Sequence, residues 1–332
     1  MTDSSGTFIT RRSALAGSLA LPTLFANAQT AAHVDEDWTD SARNRSLPVR
    51  LRWPTASSAQ SLPVVIYSHG LGGSRAGGAV WGEAWAAAGF VVLHLQHPGS
   101  DTAVFRNIAN LRAMELAKQL QARLEDVGFA IDEITRRSKT AGSPWARANL
   151  GQMGLGGHSF GAHTSLGMAG QRFATGQSVK EDRLRSFIGL SPRVPRREPS
   201  EALKSIARPM LSITGSLDGS VLGDDTTVQD RLAVYDNLPS GAKAELFLHD
   251  ADHMTFGGGT GARGDARGEA ANSALLRGVA VARKLDAQHQ ALVARISTDW
   301  WRKTLLGDAA AAQRLQAPSG LAAADRWRAE LR

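Results

Sequence analysis

The sequence predicts an α/β fold in which helices cover both faces of a mostly parallel central sheet. Short, continuous apolar runs typical of buried strands alternate along the chain with stretches of helical periodicity. The residues best suited to chemistry directly follow these runs, and active sites of parallel sheets lie at the carboxyl ends of the strands. With 332 residues, of which 42% are hydrophobic and 21% charged, the chain is long enough for one large α/β domain or two small ones.

The strands are predicted from the order of apolar and polar side chains. Residues 33–44 are polar and are expected to form an extended lead-in, whereas residues 47–53 alternate as in a half-exposed strand. About seven strands are expected in all. The apolar runs predicted as buried strands span residues 62–67, 90–95, 150–156, 185–190, 209–214 and 244–248.

The helices are predicted from apolar side chains that recur every three or four residues. Gly89 is expected to close the first helix, and Gly128 is a candidate bend in the longest one. Together with the strands, these helices predict a single domain over residues 29–332 with a helical C-terminal region. The helical patterns cover residues 81–88, 108–134, 228–237 and 271–297.

The first 28 residues resemble a bacterial twin-arginine export signal. Arg11 and Arg12 form the arginine pair, a mild apolar run follows over residues 14–25, and Ala26-Asn27-Ala28 has the small-x-small pattern of a cleavage site. We therefore expect cleavage of residues 1–28 and a mature protein that is periplasmic or secreted. No later stretch is long and apolar enough to predict a stable membrane anchor. A disordered basic tail is the alternative interpretation.

Charge and composition narrow the class of function. The net charge of +7 is compatible with nucleic-acid binding, but the arginines are spread along the chain instead of alternating with aromatic residues in runs. We expect a solvated basic surface and no nucleic-acid partner.

The chain has no cysteine, which excludes disulfides and thiol nucleophiles. Zinc-site spacing, a P-loop and a full dinucleotide-binding motif are absent, so neither a metal nor a cofactor is expected. The oligomeric state stays open.

The most informative motif is the pentapeptide Gly157-His158-Ser159-Phe160-Gly161, which lies between a predicted strand and a predicted helix. In this context Gly-x-Ser-x-Gly is typical of a nucleophile elbow. The serine at the tip takes a strained backbone conformation, and strand and helix approach so closely that the flanking positions require glycine. We predict Ser159 as the nucleophile. The alternative is a glycine-rich turn with a capping serine.

A serine hydroxyl needs a general base within hydrogen-bond reach, and the base needs an orienting acid. His253, in the loop after the last predicted strand, is the predicted base, and His249 at the end of that strand is the rival. His163 follows the nucleophile by four residues on the helix and is expected to point away. His158 lies beside Ser159, where its ring cannot easily face the hydroxyl.

Asp218 is the predicted acid. It follows a buried strand by a short turn, within Ile213-Thr214-Gly215-Ser216-Leu217-Asp218-Gly219, so its carboxylate is expected near the strand end. Its role would be to fix the imidazole tautomer and to stabilise the imidazolium. Asp224 and Asp225 lie further along and are expected to be exposed. Asp101 precedes the nucleophile, whereas the expected chain order is serine, acid, histidine.

The oxyanion of a tetrahedral intermediate needs hydrogen-bond donors. We expect one from the backbone N–H of Phe160, directly after the nucleophile. The other is expected from the backbone N–H of Leu71, in Ser68-His69-Gly70-Leu71-Gly72-Gly73. The glycines of this segment let the backbone approach a substrate closely.

These two motifs together resemble the plasma-type platelet-activating-factor acetylhydrolases. The wider pattern adds residues 97–101, 213–218 and 252–254 and is similar to bacterial predicted dienelactone hydrolases. The resemblance covers most of residues 38–305 and implies an α/β-hydrolase fold with a Ser–Asp–His triad. The best-known dienelactone hydrolases use a cysteine nucleophile, so their substrate does not carry over to a chain without cysteine.

This chain departs from the acetylhydrolase pattern at the acid. In that family the acid follows the strand directly after the elbow, where this chain has Leu190-Ser191-Pro192. The acid is therefore expected one strand later, at Asp218, as in most of the superfamily.

The predicted function is a serine hydrolase that cleaves carboxylic esters, of small-molecule or lipid-like type, through an acyl-enzyme. The same triad serves amides, thioesters and polyesters, and a non-catalytic binding protein on a hydrolase scaffold is a further alternative. The basic loop 192–198 either borders the entrance and favours anionic substrates or is merely solvated. Trp81, Trp85 and Trp145 either line an acyl pocket or belong to the core.

Overall fold

The computed structural model describes Met1 and residues 32–54, 59–104, 113–220, 223–258 and 286–331. Apart from Met1, the predicted export signal lies outside the described residues, as do the first residues of the predicted helices over 108–134 and 271–297. Within the described ranges, no helix is both long and apolar enough to cross a membrane.

The described residues form eleven strands and seven helices. The strands are β1 (His33–Asp40), β2 (Arg45–Arg52), β3 (Leu62–Ser68), β4 (Val91–Leu95), β5 (Ala148–His158), β6 (Ala169–Arg172), β7 (Ser178–Lys180), β8 (Leu184–Leu190), β9 (Met210–Leu217), β10 (Lys243–Asp252) and β11 (Arg326–Glu330). The helices are α1 (Ala79–Ala87), α2 (Ala113–Ser138), α3 (Phe160–Met168), α4 (Pro199–Leu203), α5 (Val228–Asn237), α6 (Asp286–Leu306) and α7 (Ala309–Gln316).

Nine of these strands form the central sheet, in the order β1-β2-β4-β3-β5-β8-β9-β10-β11. Every neighbouring pair from β4 to β10 is parallel, and the pairs at the two edges are antiparallel. The carboxyl ends of β3, β5, β8, β9 and β10 therefore meet along one edge of the sheet. The prediction of a mostly parallel α/β fold is confirmed.

The core lies on both faces of this sheet. Along β3, Val64 and Ile66 belong to one hydrophobic cluster and Val65 and Tyr67 to the other, because successive side chains of a strand point to opposite faces. Helix α2 covers the first face, and α1 and α6 cover the second. Each large side chain buried this way contributes about 1.5–3 kcal/mol. The tryptophans of the second cluster are Trp81, Trp85, Trp300 and Trp301.

The differences from the predicted elements lie at the edges of the fold. The polar lead-in forms β1, an edge strand whose Asp35 pairs with Arg50 of β2. Strand β11 adds to the other edge, where Arg328 binds the buried Glu245 of β10. Neither segment has the apolar run that would predict a strand. An edge strand can form without one, because it is stabilised by pairing and by charged side chains. The hairpin β6–β7, which forms a separate two-stranded sheet, was not predicted either, because its strands have only four and three residues.

Gly128 does not bend α2, which continues from Ala113 to Ser138. A Cβ at this position would meet no atom within 4 Å, and its φ is not positive. The glycine therefore costs helix stability without serving a close contact.

We predict that Gly128→Ala raises the free energy of unfolding by about 0.5–1 kcal/mol, because alanine loses less backbone entropy in a helix. Urea unfolding monitored by circular dichroism measures the change. The matched control is Gly161→Ala, whose Cβ would collide with the carbonyl of Ser68 and which should destabilise the protein. Equal or lower stability of Gly128→Ala would contradict this interpretation.

Candidate active site

The predicted site residues follow parallel strands at the same edge of the sheet. Leu71 lies after β3, Ser159 directly after β5, Asp218 directly after β9 and His253 directly after β10. The edge is thus assembled from residues far apart in the chain, as the topology requires.

Ser159 has the backbone conformation expected of a nucleophile elbow. Its φ of 53° and ψ of −111° lie in a region that side chains other than glycine rarely adopt. A Cβ at Gly157 would collide with the carbonyl of Gly161, and one at Gly161 with the carbonyl of Ser68. The two flanking glycines therefore allow β5, α3 and β3 to approach one another, and the serine is left at the tip.

Asp218 and His253 form a buried pair. The Nδ1 atom of His253 lies 2.8 Å from Oδ1 of Asp218, and the two residues are 4% and 0% exposed. Since an ionised carboxylate only accepts, Nδ1 carries the proton and Nε2 is the ring atom free to accept one. The imidazole tautomer is thereby the one that a general base requires.

Arg231 on α5 also binds this carboxylate. Its Nε lies 2.9 Å from Oδ1 of Asp218, and its guanidinium donates to the backbone carbonyls of Ser191, Asp218 and Gly219. Burial alone would raise the pKa of Asp218, but the hydrogen bond from His253 and the charges of His253 and Arg231 outweigh it and lower the pKa. Asp218 is therefore a carboxylate at neutral pH.

A cavity of about 260 Å³ opens beside these groups. Ser159 and His253 both line it, and no hydrogen bond joins the serine hydroxyl to the imidazole in the described part of the chain. Hydrogen bonds between catalytic groups are often long in free enzymes and shorten when substrate binds. The other described residues of its wall are Leu71, Leu116, Ala117, Leu120, Phe160, His163, Ser191, Arg193, Asp224, Thr226 and Arg231.

The two predicted oxyanion donors belong to the wall of the same cavity. Leu71 lies in a tight turn in which Gly73 N–H donates to the Gly70 carbonyl, and Phe160 is the first residue of α3. Among the described residues, neither the Leu71 N–H nor the Phe160 N–H has an acceptor. Both amides are therefore available to a negatively charged oxygen, and the Phe160 amide also gains from the positive end of the helix dipole.

Several rival residues have other roles. His249 is exposed and pairs with Asp250, and Asp101 accepts a hydrogen bond from Gln96. Trp81, Trp85 and Trp145 are buried in the core and are not among the described residues of the cavity wall.

The expectation for His163 was wrong. His163 lines the cavity instead of pointing away, because a residue four positions along a helix returns to the same side as Ser159. Asp224 is exposed as expected, although it also belongs to the cavity wall and faces Arg193 at 3.7 Å. Asp225 is exposed as expected and pairs with Arg196.

His158 packs against the predicted base, His253, and against its backbone. Its Nε2 lies 2.9 Å from the backbone carbonyl of His253, and the two ring centroids are 4.7 Å apart. Burial, reinforced by the charge of His253, lowers the pKa of His158 to about 3. The neutral ring therefore donates from Nε2 and fixes the loop that carries His253.

A second Ser–His–Asp arrangement lies deeper in the molecule. Nε2 of His97 is 2.9 Å from the Ser68 hydroxyl, and its Nδ1 is 3.0 Å from Asp126. All three residues are 0% exposed, and none belongs to the described cavity wall. Arg43 and Arg45 balance the charge of Asp126. A substrate could not reach Ser68, so this arrangement is structural.

Sequence reasoning missed Arg231 and Arg123, both of which contact the site. A signal was present, because each arginine stands three or four residues before an apolar residue on the buried side of its helix: Val234 follows Arg231 by three positions, and Val127 follows Arg123 by four. A cation on a buried face must find acceptors, but the sequence does not show which ones.

Comparison with known families agrees with the resemblance predicted from the motifs. Residues 39–134 match the family model for platelet-activating factor acetylhydrolase, isoform II. This segment includes the turn with Leu71 and most of α2, and it ends before β5, so Ser159, Asp218 and His253 lie outside it. No curated protein matches the chain significantly. The α/β fold and the likeness to this acetylhydrolase family are therefore confirmed.

We predict that the protein loses stability as the pH falls below about 6.5, partly because His158 stays neutral in the folded state and is protonated in the unfolded state. Its folded pKa is depressed, so its contribution is complete above pH 6.5 and decreases as the pH falls towards 3. Between pH 7 and pH 5 this residue alone should account for about 2 kcal/mol. Urea unfolding of the wild type and His158→Gln at both pH values measures it. Equal pH-dependent losses in the two proteins would contradict the assignment.

Proposed function

We propose that the chain is a serine hydrolase that cleaves carboxylic esters through an acyl-enzyme. The observation that carries the proposal is the shared cavity, in which a strained, accessible serine meets a histidine whose tautomer is fixed by a buried aspartate. The likeness to an acetylhydrolase family points to the same class of reaction.

In this proposal the Ser159 hydroxyl attacks the ester carbonyl carbon while its proton moves to Nε2 of His253. Asp218 keeps the ring oriented and stabilises the imidazolium without taking the proton. The Leu71 and Phe160 amides donate to the oxyanion, an interaction whose loss typically costs about 3 kcal/mol of barrier per donor. His253 then protonates the leaving alkoxide.

The second half of the reaction uses the same groups. Nε2 of His253 removes a proton from water as the water attacks the acyl carbonyl. The collapsing intermediate releases the carboxylic acid and returns the proton to Ser159. No group beyond these side chains and amides is required.

The cavity suggests the kind of ester. Its described wall includes the apolar side chains of Leu71, Leu116 and Leu120, the last two on α2, and the polar side chains of Arg193 and Thr226. Its volume lies below the 300–1,000 Å³ usual for ligand pockets. We therefore propose a small ester with an apolar group on the α2 side.

The predicted preference for anionic substrates now depends on one residue of the basic loop. Arg193 reaches the cavity, although Asp224 partly balances its charge, whereas Arg196 pairs with Asp225.

We also propose export through the twin-arginine pathway, and this proposal rests on the sequence of residues 1–28 alone.

We predict that Ser159→Ala lowers kcat for p-nitrophenyl acetate by about a million-fold and abolishes labelling by a fluorophosphonate. The matched control is Ser191→Ala, which removes the buried hydroxyl of the other serine in the described cavity wall and should retain the label. Labelling is read by mass spectrometry of the intact protein. A label retained in Ser159→Ala would reject the proposed nucleophile.

We predict that Asp218→Asn lowers kcat by about 10⁴-fold, because an amide at this position no longer holds the required tautomer of His253. The control Asp224→Asn changes a carboxylate in the same cavity wall that makes no contact with the imidazole, and its kcat should fall by less than about tenfold. Steady-state kinetics on p-nitrophenyl acetate separates the two. Comparable losses would show that Asp218 has no special role.

A further inference from the structure

Arg123 of α2 is a buried cation whose hydrogen bonds converge on the turn that precedes Leu71. The residue is 0% exposed. Its Nη1 donates to the His69 carbonyl at 2.5 Å, and its Nη2 donates to the Gly70 carbonyl at 3.2 Å. Its Nε donates to the Ser100 hydroxyl at 2.8 Å, and the Ser100 carbonyl accepts from the Gly72 N–H at 2.9 Å. One guanidinium therefore fixes the turn both directly and through Ser100.

The Gly70 carbonyl belongs to the peptide unit whose N–H is that of Leu71. Because the peptide unit is planar, a donor that fixes the carbonyl also fixes the direction of the N–H. His69 assists: its Nε2 accepts from the His97 N–H, so its Nδ1 carries the proton that points to the Gly70 carbonyl. Donation to the carbonyl also polarises the peptide and strengthens its N–H as a donor.

The same guanidinium contacts the side chain of Phe160, the residue whose amide is the second predicted donor. Its carbon lies 4.4 Å from the centroid of the Phe160 ring, in cation–π geometry. Phe160 begins α3 and supplies the other amide. Arg123 is thus a single side chain that touches both peptide segments proposed to bind the oxyanion.

The charge of Arg123 is not cancelled nearby. In the described ranges it forms no ion pair with a carboxylate, and Asp126 and Asp101 act on it only at longer range. Burial lowers the pKa of Arg123 to about 9, so the group stays protonated at neutral pH. A positive charge in a water-excluded site stabilises negative charge that develops close to it.

We propose that Arg123 is a positioning residue of the oxyanion site, which orients the Leu71 and Phe160 amides and adds a fixed positive charge behind them. This inference rests on the proposed hydrolase function. It assigns Arg123 an effect on the transition state, whereas an arginine that only stabilised the fold would affect the amount of folded protein and not the rate of each active site.

Arg123→Lys keeps the charge but cannot reach the His69, Gly70 and Ser100 oxygens together. We expect kcat, measured per site titrated by a fluorophosphonate, to fall between about tenfold and a hundredfold at nearly unchanged KM. The affinity for a trifluoromethyl ketone, which forms an oxyanion on the nucleophile, should fall by a similar factor. The matched control is Arg52→Lys. Arg52 is also a buried arginine, but it lies on β2, and its substitution should leave kcat per site unchanged.

The outcomes separate this inference from the proposed function. Absence of a fluorophosphonate label on Ser159 in the wild type would overturn the function and the inference with it. A labelled wild type together with an Arg123→Lys enzyme of normal kcat per site would overturn the inference alone. If Arg123→Lys yields no folded protein, Ser100→Ala decides, since it keeps Arg123 and removes the acceptor of its Nε together with one long hydrogen bond from Ser100 to the His97 carbonyl. A lower kcat at unchanged KM supports the inference, and a normal kcat overturns it.

Discussion

The buried carboxylate of Asp218 is the charge on which the arrangement of the site depends. An ionised carboxylate without partners would be strongly destabilised in the interior, and here His253, Arg231 and Thr214 all donate to it. The same hydrogen bonds position their donors. His253 receives a fixed tautomer, and Arg231 ties the ends of β8 and β9 together through the Ser191 and Asp218 carbonyls. One buried charge thereby positions His253, the loops around it and part of the cavity wall.

Hydrogen-bond distances alone would not single out Ser159 as the proposed nucleophile. The relay through Ser68, His97 and Asp126 is complete in the structure, whereas Ser159 and His253 share a cavity without a hydrogen bond. The two serines differ in solvent access and in backbone strain. Ser68 is fully buried in a regular strand, whereas Ser159 stands at a strained turn and lines the cavity. The buried relay also contacts Arg123, because the Ser68 hydroxyl accepts a hydrogen bond from Nη1 of Arg123 just before the turn that carries Leu71.

The fold could be predicted from the sequence because its central strands are apolar runs and its helices have regular spacing. The elbow was recognisable because sterics restrict Gly157 and Gly161 to glycine. What could not be predicted depends on tertiary contacts. The edge strands β1 and β11 carry mixed charges, and the roles of Arg123 and Arg231 depend on backbone carbonyls that converge only in the folded chain. The family match, which covers residues 39–134, includes Arg123 but none of the three proposed triad residues.

The most direct test of the central claim is a crystal structure of the protein after reaction with a small phosphonate ester. We expect phosphorus bonded to Oγ of Ser159, and one phosphoryl oxygen within hydrogen-bond distance of the Leu71 and Phe160 amides. Nε2 of His253 should lie beside the adduct while its Nδ1 stays on Asp218. A phosphoryl oxygen bound by other groups, or an imidazole of His253 turned away from the adduct, would contradict the account.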